Sequence, residues 1–227
     1  MANLVITIDG PAGSGKSTAA KLLARKLDAS FLDTGAMYRA VTLAAMQSGI
    51  DMSDQEKLLE VMGKKKIDFT SREGTMLVRI DGADVSEQIR KPEVTANAHY
   101  VASAAKLRER LVEMQREFAA GEEKIVTEGR DQGTVAFGDA DIKFYLTANT
   151  GERAKRRLME LRAKGRSDRL EDVQRAIEER DKSDKNRAVG PLRPADDAIF
   201  IDTTKLSIEE VVEKVLGCVK EKRPRQV

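Results

Sequence analysis

The residues best suited to chemistry lie near the start of the chain, where glycines precede a lysine and a serine. Gly10-Pro11-Ala12-Gly13-Ser14-Gly15-Lys16-Ser17 matches the pattern G-x-x-x-x-G-K-[ST]. Glycines let backbone N–H groups curl around phosphate oxygens, the lysine reaches the β- and γ-phosphates, and the serine can ligate Mg²⁺. We therefore predict that Gly10 to Thr18 bind a nucleoside triphosphate, with Ser17 as the metal ligand. The alternative is a glycine-rich turn that happens to contain lysine.

A second candidate group is a set of arginines within residues 153–187. This segment has thirteen Lys/Arg against eight Asp/Glu, whereas the whole chain has a net charge of only +2. Arg153 and Arg157 are four residues apart on one predicted helix face, and Arg180, Asp184 and Arg187 share another. Because guanidinium groups suit phosphate oxygens, the group predicts a phosphate clamp. The alternative is a solvated helix surface with ion pairs.

The elements that must position these residues alternate between strand and helix patterns. An apolar run at residues 4–9 precedes the glycine segment, and residues 16–27 follow it with a helical spacing of leucines. This alternation continues along the chain and predicts an α/β, three-layer P-loop fold with a parallel sheet flanked by helices. Residues 66–85 instead alternate with a period of two, with turns at Glu73-Gly74 and Asp81-Gly82, and predict a small antiparallel β insert.

Local signals give more detailed expectations for the helices. The pattern predicts one long helix from Pro92 to Ala120, and two further helices at 151–164 and 170–186. Capping boxes are expected at two helix starts, formed by Ser53 with Glu56 and by Ser207 with Glu210. Residues 222–227 are expected to form a loose tail.

Composition excludes several classes of protein. The 227 residues are 41% hydrophobic, which is too apolar for a disordered chain. Forty basic and 38 acidic side chains nearly cancel, so charge gives no argument for a nucleic-acid or membrane partner. No apolar run approaches the roughly 20 residues of a spanning helix, and a single cysteine indicates the cytoplasm. The only histidine, His99, excludes a site that needs two histidines.

The phosphate-binding motif leaves the reaction open. GTPases are disfavoured because the sequence contains neither Asp-x-x-Gly nor Asn-Lys-x-Asp. Motor ATPases need an apolar run that ends in acidic metal ligands, and residues 124–128, which end in Glu128, match this only partly. The arginine-rich segment favours a kinase.

Five blocks of sequence resemble the bacterial cytidylate kinase family of nucleoside monophosphate kinases. They are Ile8-Asp9-Gly10-Pro11, Asp33-Thr34-Gly35-Ala36-Met37-Tyr38-Arg39, Glu128-Gly129-Arg130-Asp131-Gln132-Gly133-Thr134, Glu179-Arg180-Asp181, and Asn186-Arg187-Ala188-Val189-Gly190-Pro191-Leu192. The resemblance implies transfer of the γ-phosphoryl group of ATP, with Mg²⁺, to CMP or dCMP. It also implies five segments: core at 1–62, an acceptor-binding β insert at 63–93, core at 94–150, an arginine-rich mobile lid at 151–187, and core at 188–227.

The resemblance also implies roles for individual residues. It implies catalytic roles for Lys16, Arg130, Arg157 and Arg187. The acceptor phosphate would lie near Arg39, Arg130 and Arg187, the cytosine ring against Arg108 and Asp131, and the sugar near Arg180 and Asp184. Thr34 either contacts the acceptor or caps a helix, and Tyr38 is either a pocket wall or a core residue. His99 occupies a position where the family commonly has a small hydroxyl residue that contacts the base; the alternative is a histidine on a helix face without a catalytic role.

Two other functions stay open at the level of sequence. One is a P-loop kinase for a different small acceptor, such as UMP, AMP or a sugar acid. The other is an ATP-dependent switch that acts through a partner. A nucleic-acid-binding role is disfavoured because aromatic residues make up only 4% of the chain. We expect a monomer whose partners are its small-molecule substrates.

Overall fold

A computed structural model describes residues 2–163 and 165–223 of the chain. The strands are β1 Leu4–Asp9, β2 Ser30–Asp33, β3 Ile67–Arg72, β4 Thr75–Ile80, β5 Ala83–Asp84, β6 Lys124–Gly129, β7 Ile142–Thr147 and β8 Ile199–Asp202. The α-helices are α1 Lys16–Leu27, α2 Thr34–Gln47, α3 Gln55–Lys64, α4 Pro92–Ser103, α5 Ala105–Ala120, α6 Thr150–Ala163, α7 Leu170–Asn186 and α8 Ile208–Lys222. A short 3₁₀ helix spans Gln88–Arg90 and a π-helical turn spans Gln132–Ala136. The predicted α/β fold is confirmed.

The main sheet has five strands in the order β2-β6-β1-β7-β8. β1 pairs in parallel with β7, from Ile6 opposite Ile142 to Asp9 opposite Tyr145, and β7 pairs in parallel with β8. Residues 6–9 of β1 are buried in succession rather than alternately. This pattern is typical of a parallel strand that is covered on both faces.

Two compact units are distinguished within the described chain. The first unit comprises residues 2–3 and 24–127, and the second unit comprises residues 4–23 and 128–223. The second unit contains the phosphate-binding motif, α6 and α7. These two helices share a small apolar cluster, to which Ala154, Leu158, Leu161, Val173 and Ile177 contribute.

The first unit contains the predicted β insert. β3 and β4 are antiparallel, with Ile67 opposite Ile80, and β4 continues into a short pairing with β5. Glu73 and Gly74 at the first turn have φ angles of 52° and 65°, as a two-residue turn with left-handed backbone requires. The antiparallel insert is thus confirmed.

The long helix predicted from Pro92 to Ala120 is wrong, because the chain breaks at Ala104. This residue has φ −81° and ψ 107°, so α4 ends and α5 begins around one extended residue. Ala104 is fully buried, as are Val101 and Leu107 on either side. Packing of these side chains overrides the strong helix propensity of alanine, and neither proline nor glycine marks the break in the sequence.

One of the two predicted capping boxes is also wrong. Asp54 caps α3, its carboxylate accepting from the backbone N–H groups of Glu56 and Lys57, while Ser53 bonds to Asp51. Aspartate competes well with serine for an N-cap, which explains the difference. The box of Ser207 with Glu210 at the start of α8 is confirmed.

Within the described residues, no helix is both long and apolar enough to cross a membrane. The predicted loose tail begins at Lys222, which is the last residue of α8. Residues 224–227 of that tail lie outside the described part of the chain, as does residue 164 at the end of the helix predicted at 151–164.

Candidate active site

The phosphate-binding loop lies between β1 and α1, and two of its glycines lie where a side chain would contact backbone atoms. At Gly10, a Cβ atom would lie 2.1 Å from the carbonyl oxygen of Leu146 in β7. Gly13 has φ 76°, and a Cβ atom there would lie 3.1 Å from the carbonyl oxygen of Arg153 in α6. Because backbone atoms of β7 and α6 cannot easily move aside, the loop tolerates no side chain at Gly10 and hardly any at Gly13.

Ser14 gives the loop a buried hydroxyl group. The residue is fully buried, and its Oγ atom has no hydrogen-bond partner among the described residues. A buried hydroxyl in this state is unfavourable by about 1–3 kcal/mol. A phosphate oxygen within the loop would accept from this hydroxyl, so the residue fits an anionic ligand.

Lys16, the first residue of α1, points into the same region and is 5% exposed. Its Nζ atom donates to the carbonyl oxygen of Pro11 at 3.2 Å and lies 4.0 Å from Oε2 of Glu128. Burial, together with the positive charge of Arg130, lowers the pKa of the Lys16 ammonium to about 7, against the opposing effect of Glu128. A triphosphate next to Lys16 would stabilise its charged form.

Glu128 also lies at this site, although in the sequence it ends only a partial match to the motor-ATPase pattern. It lies near the end of β6, is 5% exposed, and accepts a hydrogen bond from Oγ of Ser17 at 2.7 Å. The described residues contain no group of three or more His, Cys, Asp or Glu side chains that could hold a metal ion. Mg²⁺ with bound phosphates and waters needs only one or two protein oxygens, so Ser17 with Glu128 fits it.

Oppositely charged side chains connect the residue that follows β6 with α7. Nε of Arg130 donates to Oδ2 of Asp184 at 2.7 Å, and Nη1 of Arg187 lies 4.0 Å from Oδ1 of Asp184. Burial opposes the charges of both partners, but their attraction raises the pKa of Arg130 and lowers that of Asp184. Arg180 also acts on the charges of Lys16 and Asp184. The structure therefore brings together four of the predicted site residues of the second unit, Arg130, Arg180, Asp184 and Arg187.

Asp131 is 5% exposed and immediately precedes the π-helical turn Gln132–Ala136. The carboxylate of Asp9 accepts from the backbone N–H of Gln132 at 2.9 Å and from that of Gly133 at 2.8 Å. Burial raises the pKa of Asp9 to about 7, although these two hydrogen bonds favour its charged form. No pattern in the sequence indicates this turn or the contact with Asp9, and π-helical turns are rare.

Arg153 lies at the loop, but as a buried structural group. It is 4% exposed, and its guanidinium donates to the carbonyl oxygens of Ala148 and Ala12, both at 3.0 Å. It also donates to Oγ1 of Thr150 at 3.1 Å and pairs with Asp181 of α7 at 2.7 Å. These partners occupy its N–H groups, so Arg153 ties α6 and α7 to the loop rather than forming part of a phosphate clamp.

Arg157 and its neighbour Arg156 point to different partners. Nη1 of Arg157 donates to Glu160 on the same helix at 2.8 Å, and both side chains are largely exposed. Arg156 instead donates to the hydroxyl and carbonyl oxygens of Thr203, and a Cβ atom at Gly15 would lie 3.9 Å from its Nη1. Arg156 therefore lies beside Gly15 of the loop, whereas Arg157 is exposed.

In the first unit, a second cluster forms around the carboxylate of Asp33. Asp33 caps α2 by accepting from the N–H of Ala36 at 2.7 Å. Nη2 of Arg39 lies 3.3 Å from Oδ2 of Asp33, and Nη2 of Arg90 lies 3.6 Å from the same oxygen. Arg39 was predicted, whereas Arg90 follows from no sequence motif. Because Asp33 is the N-cap, Thr34 does not cap the helix but begins it.

Tyr38 and Arg108 are also brought together in the first unit. The guanidinium carbon of Arg108 lies 5.4 Å from the centroid of the Tyr38 ring, within the range of a cation–π contact. Arg108 is 2% exposed, and its Nη1 donates to the carbonyl oxygen of Ala102, near the break between α4 and α5. The tyrosine ring thus holds the guanidinium of Arg108 in place.

His99 is exposed on α4. Its Nδ1 lies 2.7 Å from the carbonyl oxygen of Ala96, and its ring centroid lies 4.0 Å from that of Tyr100. Both neighbours belong to the same helix, which is consistent with a histidine on a helix face.

The chain is similar to known proteins over nearly its whole length. The family model described as cytidylate kinase matches residues 6–221. Proteins named cytidylate kinase from Bacillus thuringiensis (strain Al Hakam) and Bacillus cereus (strain AH187) are each 48% identical over 216 residues. These matches cover 94% of this chain and 95% of each relative.

The chain is also similar to solved structures, among them a shikimate kinase from Bacteroides thetaiotaomicron, with a TM-score of 0.49 and 14% identity. The match covers 96% of this chain and 98% of that one. A similarity of this size carries no argument about function.

Proposed function

Because the chain belongs to the cytidylate kinase family, we propose that it transfers the γ-phosphoryl group of ATP to CMP or dCMP, giving ADP with CDP or dCDP. The observation that carries this proposal is the cluster of Lys16, Arg130 and Asp184 next to a loop shaped for phosphate. Three cationic residues lie near Asp184, namely Arg130, Arg180 and Arg187. Their positive charges suit a reaction between two anions.

The reaction needs no general base. The attacking atom is a phosphate oxygen of the acceptor, whose second pKa near 6 leaves it mostly ionised at neutral pH. The protein must therefore neutralise charge, align this oxygen with the γ-phosphorus and exclude water. Among the described residues, Lys16, Arg130 and Arg187 have the charge for the first task, and we propose them as catalytic together with Arg157.

At the donor end, we propose that backbone N–H groups of residues 10–18 and the hydroxyl of Ser14 hold the phosphates of ATP. The chemistry that Mg²⁺ would supply here is positive charge that offsets the charge of the phosphates. Ser17 and Glu128 would hold Mg²⁺, since they are neighbouring oxygen donors 2.7 Å apart. Lys16 would then turn from Pro11 and Glu128 toward the β- and γ-phosphates.

At the acceptor end, we propose roles for residues of each unit separately. In the second unit, Arg130 and Arg187 would bind the acceptor phosphate, Arg180 and Asp184 the sugar, and Asp131 the base. In the first unit, we assign the phosphate to Arg39 and the base to Arg108, with Thr34, Tyr38 and His99 as further acceptor contacts. These assignments rest on the family and on the pairing of Arg108 with Tyr38.

The choice of cytosine follows from hydrogen-bonding chemistry. Cytosine presents an amino donor at C4 and acceptors at N3 and O2. The Asp131 carboxylate can accept from the amino group, and the Arg108 guanidinium can donate to the ring acceptors. Uracil would set its O4 atom against a carboxylate, which leaves a buried charge unpaired.

We further propose that the protein acts in the cytoplasm as a monomer, without a nucleic-acid or membrane partner. The near balance of 40 basic and 38 acidic side chains supports this view. Size-exclusion chromatography with light scattering would test it, and a stable dimer mass would overturn the monomer.

The decisive experiment measures ADP release from ATP and Mg²⁺ with CMP, dCMP, UMP, AMP, GMP or no acceptor. We expect CMP and dCMP to stimulate release most, with UMP at least about 10-fold lower in kcat/KM. Dominant stimulation by another acceptor would indicate a kinase of different specificity. ATP hydrolysis that no monophosphate alters would indicate a switch and overturn the proposal.

A further inference from the structure

We infer that Asp9 is a positioning residue for acceptor binding, because its carboxylate holds the turn that carries Arg130 and Asp131. Asp9 ends β1 and directly precedes the phosphate-binding loop, so its place in the sequence suggests a role in ATP binding. Its contacts point elsewhere. Both carboxylate oxygens accept from backbone N–H groups, of Gln132 at 2.9 Å and Gly133 at 2.8 Å.

These two N–H groups are the first of the π-helical turn Gln132–Ala136. The residue before the turn, Asp131, has φ −143° and ψ 25° and makes no capping hydrogen bond with its side chain. The first N–H groups of any helical turn lack partners within the turn. Asp9, the last residue of β1, supplies partners for these two N–H groups and so holds the start of the turn.

The turn also lies close to the sheet at Gly133. A Cβ atom at Gly133 would lie 3.0 Å from Oγ1 of Thr7 in β1 and 3.2 Å from Cδ of Lys143 in β7. A methyl group at Gly133 would force the side chain of Thr7 or Lys143 to shift by a few tenths of an ångström. Asp9 and Gly133 together therefore fix the turn against β1 and β7, and with it the directions in which Arg130 and Asp131 leave the chain.

Burial strengthens the argument for positioning. Asp9 is 4% exposed, and both of its oxygens are already engaged by the turn. A carboxylate in this state is poorly placed to bind Mg²⁺ or to touch ATP directly. Its effect must pass through the backbone of residues 131–133, and hence through the residues proposed to meet the acceptor. The inference rests on the proposed function at this point.

The test compares Asp9→Asn with Asp141→Asn at about pH 8, where the Asp9 carboxylate is mostly ionised. Asparagine has one acceptor oxygen, so its NH₂ group must face one of the two N–H donors. Asp141 is a matched control because it also accepts from a backbone N–H of β1, that of Val5 at 2.8 Å, but at the opposite end of the strand. Each enzyme is assayed with CMP, UMP and ATP, and its unfolding by urea is measured.

We expect Asp9→Asn to raise KM for CMP about 10-fold or more, to change KM for ATP less than about 3-fold, and to lower the CMP to UMP ratio of kcat/KM. Asp141→Asn should lose stability without changing either KM or the ratio. Gly133→Ala should likewise raise KM for CMP more than KM for ATP. It serves as the test if Asp9→Asn does not fold.

Three outcomes would overturn the inference while leaving the proposed function intact. They are an equal rise in both KM values, a rise in KM for ATP alone, and unchanged kinetics in a destabilised Asp9→Asn enzyme. Failure of the wild-type protein to release ADP in response to CMP is a different result. It would overturn the proposed function and this inference with it.

Discussion

Replacing Arg153 by methionine should lower the free energy of unfolding by about 3–5 kcal/mol, because it removes one partner of a buried ion pair. Arg153 and Asp181 have side chains that are only 5% and 13% exposed, and their charged atoms lie 2.7 Å apart. The pair uses Oδ2 of Asp181, and its Oδ1 is buried without a hydrogen-bond partner among the described residues. Methionine would fill much of the arginine volume but leave the carboxylate of Asp181 buried without its cation.

The same variant also removes hydrogen bonds that tie α6 to the phosphate-binding loop. The guanidinium of Arg153 donates to the carbonyl oxygens of Ala12 and Ala148, and both would lose a donor. Ala12 belongs to the loop, so loss of this hydrogen bond should make the loop less ordered. The variant should therefore also have a higher KM for ATP.

The assay is urea unfolding followed by circular dichroism for Arg153→Met, Asp181→Asn and the double variant. Since the two residues are in contact, the double variant should be less destabilised than the sum of the single variants, with a coupling of about 1–3 kcal/mol. Arg157→Met is the matched control. It breaks an exposed pair with Glu160 and should change stability by less than about 1 kcal/mol.

Two results would refute this reasoning. One is an Arg153→Met protein that is no less stable than Arg157→Met. The other is additive single variants, with a coupling of less than about 0.5 kcal/mol. Either would mean that the Asp181 carboxylate finds water or another partner when Arg153 is removed.

Further predictions concern the two substrates, the lid and pH. Lys16→Ala should lower kcat by about 100-fold or more while circular dichroism shows a normal fold, and near-normal turnover would contradict the donor site. Asp131→Asn should lower the CMP to UMP ratio of kcat/KM at least ~10-fold, and an unchanged ratio in an active enzyme would remove Asp131 from base recognition. Hydrogen exchange within residues 151–187 should slow when a bisubstrate analogue binds, and unchanged exchange would count against a lid. Because burial raises the pKa of Asp9 to about 7, the folded state binds its proton more tightly than the unfolded state does. The wild type should therefore lose roughly 2–3 kcal/mol of stability relative to Asp9→Asn between about pH 5 and pH 8, as urea unfolding would show; a constant difference would mean that the Asp9 pKa is not raised.

Local patterns in the sequence were enough to predict the main architecture. The phosphate-binding motif combines strand, glycines and helix within about 20 residues, and each part supports the others. The β insert was equally clear, because turn residues such as Glu73 and Gly74 separate runs with a period of two. In both cases the signal lies within one short stretch of chain.

Features that depend on distant contacts could not be predicted in this way. The break at Ala104 arises from packing, since alanine itself favours a helix. The arginine-rich segment was correctly identified as a local positive region, but spacing along a helix could not show that Arg153 is buried against Asp181 while Arg157 is exposed. The contact of Asp9 with Gln132 joins residues 123 positions apart and has no counterpart in any local pattern.

The charge pairs of the second unit suggest how its cationic groups remain ready for phosphate. Lys16 lies next to Glu128, and Arg130 is bonded to Asp184, so each cation already has an anionic neighbour. A bound phosphate must compete with these carboxylates, which reduces the net gain from each contact. In return, the carboxylates keep the cations buried and oriented, and orientation matters most for a transfer that depends on alignment. The Glu128→Gln variant should then bind phosphates at least as tightly, because Lys16 would lose its neighbouring negative charge. It should transfer the phosphoryl group more slowly, because the proposed Mg²⁺ site would lose a strong oxygen ligand. Measurement of Kd for ATP without Mg²⁺, beside kcat with Mg²⁺, separates the two effects, and a loss of ATP affinity without Mg²⁺ would contradict this view of the charge pairs.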